Sequence, residues 1–276
     1  RRVVSARTNF LDDGNRFEAT GKVVVRQDRQ TATADSAVFY DHEGTGDMFG
    51  SPRVTDAEGD LTGDHLMLTF EEGAMERAVM IGNAALVYAP TDPSLAGEQS
   101  VVRGDSLRVF FADGRIEHLE ALGSPKVDYT PSLADSATGT GRVSAGGDTV
   151  VVRIKGQSAD RVEISGHAAG RYLYRSRAVQ DSVDLVEYSA DRIVFKLPER
   201  FIELRGTAQT DYHNLTLKAD KIDFDAVKDV MEASPKPVLI DKMRPAEQEL
   251  VGERVSYDLA SARGTIYHGR TQYDTG

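Results

Sequence analysis

Seven carboxylates recur at one place in a repeated phrase: Asp35, Asp64, Asp105, Asp148, Asp191, Asp220 and Glu253. A row of such groups could bind Ca²⁺ or supply acid–base pairs. The spacing argues against both uses. Calcium-binding β-rolls need a tight Gly-Asp nonapeptide period, and these acids stand 29 to 43 residues apart. Catalysis singles out one or two carboxylates in unusual surroundings, whereas every repeat here carries an equal one. Each acid follows a small residue, as in Thr33-Ala34 and Thr62-Gly63. It is therefore expected to open a strand and accept backbone N–H bonds at a turn. The six histidines (His42, His65, His118, His167, His213, His268) show no metal-ligand spacing. There is no Gly-x-Ser-x-Gly elbow and no phosphate-cradling loop. With no cysteine, disulfides and thiolate metal sites are excluded. No catalytic residue, metal ligand or cofactor is expected, and the acids read as structural.

The elements around the acids carry more information. One place after each acid stand Ser36, His65, Ser106, Thr149, Arg192, Lys221 and Arg254, all polar. Two places after stand Ala37, Leu66, Leu107, Val150, Ile193, Ile222 and Val255. Four places after stand Phe39, Leu68, Val109, Val152, Phe195, Phe224 and Tyr257. Six places after, every copy but Asp41 is again apolar. This is period-two alternation, with the apolar set on one strand face and the polar set on the other. The pattern recurs seven times in one register, which marks a β repeat protein.

A second element alternates with the first: a glycine leading into a short strand, at Gly21, Gly50, Gly82, Gly123, Gly166 and Gly206, with Ser234–Val238 a proline-marked variant. From each acid to the next such glycine the interval is 15 or 18 residues. From glycine to the next acid it ranges from 14 to 25. The constant interval reads as a hairpin, with turns such as Glu71-Glu72-Gly73 and Ala112-Asp113-Gly114. The glycine at its end suits a corner or bulge. The elastic interval holds loops at 89–99 and 131–147, with a third at 178–186. No convincing helix is present; 241–249 is the best candidate for a helical turn or linker.

The chain has 276 residues, enough for a sizeable core, with 40% hydrophobic residues, 7% aromatic and no Trp. A net charge of −11 argues against nucleic acid as a partner. No apolar run approaches the roughly 20 residues of a membrane helix. The first ten residues contain no hydrophobic signal segment, and the ends read as cuts in a longer chain.

Phrases such as ATADSAVFY, LTGDHLMLTF, YSADRIVFKL, LKADKIDFD and LVGERVSYDLASARGTIYHGR resemble the OstA-like repeats of lipopolysaccharide-transport proteins. The glycine-ended return strands, GRIEHLEALGSPKV and MERAVMIGNAAL, resemble the same family. The likeness runs from about Phe17 to about Arg270, and the last copy is most like the periplasmic front half of the outer-membrane translocon or the soluble bridge protein. It implies an all-β fold, a repeat-built open antiparallel β jelly roll, with residues 1–276 forming one elongated scaffold of about seven units. It further implies a non-enzymatic, periplasmic lipid conduit, outer-membrane-associated, holding lipopolysaccharide or a related amphiphile. Partners would be other β-jellyroll transport components, added edge to edge at Val23–Arg26 and at Val255–Leu259 or Thr265–His268. On this reading the trough is lined by Phe39, Leu66, Leu68, Leu107, Val109, Val150, Val152, Ile193, Phe195, Ile222, Phe224, Val255 and Tyr257. Two other readings fit the repeat: a carbohydrate-active parallel β-helix, and a structural or adhesive β-repeat array.

Overall fold

The computed structural model describes residues 2–27, 29–132, 141–156, 158–175, 183–243 and 249–270, the side chains of 174, 175 and 183 excepted. The loop expected at 131–147, the one at 178–186 and the turn at 241–249 lie partly outside the described residues. Among the described residues 23 strands form one continuous sheet, and every pairing in it is antiparallel. That excludes the parallel β-helix, whose rungs pair in parallel. Helix among the described residues is limited to two single 3₁₀ turns, Asp12–Gly14 and Pro93–Leu95.

The sheet is folded lengthwise into two facing layers. Eight long strands run through both, among them Arg16–Gln27, Ala74–Tyr88, Ser158–Arg175 and Phe201–Tyr212. Each breaks register where it passes from one layer to the other, for instance between Thr20 and Val23 or between Arg205 and Ala208. The residues after each acid build the first layer. Those before it build the second. Consecutive units are neighbours along the fold, so chain order is also spatial order.

The breaks fall at the glycines foreseen as corners. Two consecutive residues there adopt positive φ, such as Gly82 (+75°) with Asn83 (+48°) and Gly166 (+74°) with His167 (+48°). Two left-handed residues in a row fold the strand sharply, and glycine takes the first place at little steric cost. Opposite each bend lies an acid of the repeat. A methyl group built on Gly50, Gly82, Gly123, Gly166 or Gly206 would collide with the carboxylate of Asp35, Asp64, Asp105, Asp148 or Asp191 in turn. The recurring acid and the recurring glycine are thus two halves of one corner.

The bonding at the corner differs from the sequence expectation. The acid's own N–H donates, from Asp64 to the carbonyls of Ile81 (3.1 Å) and Gly82 (3.0 Å), and from Asp148 to those of Ser165 (3.0 Å) and Gly166 (2.8 Å). Its carboxylate meets the side chain of the residue after the glycine. Asn83 Nδ2 donates to Asp64 (2.9 Å), Thr207 Oγ1 donates to Asp191 (2.6 Å), and His167 Nδ1 lies 3.1 Å from Asp148. All seven acids are exposed in a line along this spine. Among the described residues no group of three or more His, Asp or Glu side chains is placed to hold a metal ion.

The strand edges also differ from expectation. Val23–Arg26 is paired on both sides, with Arg2–Val4 and with Thr31–Ala34. The N-terminal edges of the two layers are Arg7–Leu11 and Arg2–Val4, because the first residues of the chain fold back beside the first long strand. At the other end, among the described residues, Arg263–Tyr267 pairs with Arg254–Asp258 alone, an edge as expected.

Candidate functional site

The space between the layers is a wedge, narrow at the spine and wider towards the hairpin turns. Its taper is written in residue size. The inward place just before each acid holds Ala34, Gly63, Gly104, Gly147, Ala190, Ala219 or Gly252. A Cβ on Gly63 would strike Met80, one on Gly104 the Leu122 carbonyl, and one on Gly252 Ile266. The strands cross too closely at the vertex for anything larger. Further from the spine the inward residues become Phe39, Tyr88, Tyr172, Phe195, Tyr212, Phe224 and Tyr257, all buried.

All thirteen residues expected to line a trough face this wedge from the first layer. Leu66, Leu107, Val150, Ile193, Ile222 and Val255 are fully buried; Phe224 and Tyr257, the most accessible, reach only 7%. The polar residues one place after each acid point outwards, with Arg192 and Arg254 exposed. The buried residues join into a single apolar cluster running from Ala19 to Leu259.

The second wall was missed in the sequence. It comprises Ala32, Leu61, Val102, Ala145, Tyr188 and Leu217, each three places before an acid and each buried. The signal was there: alternation continues upstream of the acid, but its phase slips by one. Inward places run −5, −3, −1 and then +2, +4, +6, because the acid sits on the bend and points away from both walls. A pattern counted only downstream sees one wall.

Opposing aromatic rings meet across the wedge, Tyr172 with Phe224 (centroids 5.6 Å apart) and Tyr212 with Tyr257 (6.3 Å). Near the first hairpins Gln27 Nε2 spans the gap to the Gly73 carbonyl at 2.6 Å. A cavity of about 20 Å³ remains between Val54, Leu61, Leu86, Val109, Phe111 and Ile116, room for about one water. At the rim beside it the Tyr88 hydroxyl donates to Glu58 (3.4 Å). Burial, then the charge of Glu58, push that phenol above its ordinary range. The arrangement offers apolar burial.

The sequence matches no protein-family model and no curated protein. Among solved structures it is similar to the crystal structure of LptH, the LptA homologous periplasmic component of the conserved lipopolysaccharide transport device from Pseudomonas aeruginosa. The two share 17% identity with a TM-score of 0.40, over 58% of this chain and 97% of that one.

Proposed function

We propose that this protein is a non-enzymatic conduit in which acyl chains of lipopolysaccharide or a related amphiphile lie between the two layers. One observation carries the reading: the apolar interior is continuous through all seven repeats, with the acid-and-glycine spine on one long side and, among the described residues, hairpin turns and the 89–98 loop on the other. A packed domain needs a core, but it does not need one that runs unbroken along an open-sided wedge. The layers meet tightly in the structure, so a chain enters where they part at the turns, the spine acting as the hinge. Each methylene taken from water contributes about 0.8 kcal/mol. A few of them give a hold that is useful and still reversible.

The OstA-like repeat resemblance supplies the setting for this reading: the periplasm, next to the outer membrane, with other β-jellyroll components pairing at the free edges. Extraction of the purified protein followed by mass spectrometry tests it. A co-purified amphiphile in roughly stoichiometric amount is the expected result. A lipid-free protein that also takes up none from micelles would leave the structural or adhesive array as the better reading.

A further inference from the structure

Two hydroxyls in the wall of the second layer, on Tyr188 and Thr210, have no hydrogen-bond partner in the protein. They stand directly opposite each other on the paired strands Val183–Lys196 and Phe201–Tyr212. Tyr188 is 5% exposed and Thr210 4%. The surroundings are apolar: the ring of Phe195 lies edge-on to Tyr188 at 6.0 Å, and the Tyr188 ring lies over the bare backbone of Gly170. Other buried hydroxyls nearby are engaged. Tyr172 accepts the Gly141 N–H (3.2 Å), and Thr216 donates to Asp211 (2.6 Å). Buried polar groups in native proteins are almost always paired, so two adjacent exceptions on one wall call for an explanation.

A neutral hydroxyl both donates and accepts, and burial holds the Tyr188 phenol in its neutral form by raising its pKa. Neighbouring strands bring the two side chains to one stretch of wall. Tyr188 lies three residues from Asp191, roughly 10 Å from the spine at strand spacing. An oxygen reaching it therefore lies inside the wedge, on the tail of a ligand and not on its headgroup. We propose that Tyr188 and Thr210 each offer a polar foothold for an oxygen carried within an acyl chain, so that the wedge favours hydroxylated chains over plain ones. This rests on the conduit reading and sharpens it to a ligand class.

The test compares binding of octadecanoate and 12-hydroxyoctadecanoate to the whole chain by displacement of a fluorescent fatty acid. A purely apolar wedge would prefer the plain chain, since burying an unpaired hydroxyl is unfavourable. The foothold reverses that order, because a chain free to slide along the wedge can bring its hydroxyl to the pair. The hydroxylated chain should bind about fivefold more tightly, as one added hydrogen bond implies. The double variant Tyr188→Phe/Thr210→Val should lose this preference, the hydroxylated chain then binding no more tightly than octadecanoate. Its thermal midpoint should not fall, since unpaired buried hydroxyls are being removed. Binding of both chains without preference for the hydroxylated one, or a preference that survives in the double variant, would overturn the foothold and leave the conduit standing. Binding of neither chain would overturn both.

Discussion

Gly73 and Gly82 have similar backbone angles, φ +83° and +75°, in opposite surroundings. A Cβ on Gly73 would meet nothing, while one on Gly82 would run into the Asp64 carboxylate. Gly73→Ala should therefore cost only the left-handed strain, about 1 kcal/mol. Gly82→Ala should cost clearly more, about 2–4 kcal/mol, because the corner must also shift. Denaturant midpoints of the two variants check this, and equal losses would mean that the acid–glycine contact contributes nothing. Both partners of the corner were legible in the sequence as recurring types at constant spacing. Their contact was not, because alternation reports which face a residue takes and says nothing of what opposes it at a bend.

On the outer face of the first layer, charges pair across neighbouring strands. Arg192 Nε donates to Glu163 (2.7 Å), Lys196 to Glu203 (2.6 Å) and Arg205 to Asp223 (2.6 Å). Val194 lies on this face, opposite Glu163 and Glu203, yet is fully buried. The hydrogen bond from Arg192 holds the Glu163 carboxyl below its usual range, against the opposing effect of burial. A depressed folded-state pKa stabilises the fold above the unfolded value and loses that contribution as pH falls through the folded one. Arg192→Met keeps the stem and removes the charge. It should flatten the fall of thermal midpoint below about pH 4.5 and change neutral-pH stability by less than about 1 kcal/mol. An unchanged acid slope would show that the pair is idle. At this scale the first wall was readable from period-two alternation, while the second was hidden by the one-residue slip at each acid. A register error of one residue exchanges wall and surface entirely, so the slip had to be located before the upstream strands could be assigned a face.

For the molecule as a whole, chain order became spatial order because hairpins connect neighbouring strands; repeat periodicity made that much visible. The N-terminal edge could not be read, since the strand Arg2–Val4 that covers Val23–Arg26 lacks the repeat phrase. Edge strands carry unpaired backbone groups that accept another strand. The edge strand Arg7–Leu11 presents Phe10 at 70% exposure. Concentration-dependent self-association is expected in sedimentation velocity, weakened by Phe10→Lys, which places a charge on the edge. A wild-type chain monomeric at all concentrations would argue against edge-to-edge assembly. The most direct measurement concerns the wedge itself. A photo-crosslinking residue at Phe195 or Phe224, buried between the layers, should capture an acyl amphiphile supplied in micelles. One at Arg192 or Lys221, on the opposite strand face, should capture none. Equal capture from both faces, or none from the interior of a folded protein, would contradict the conduit.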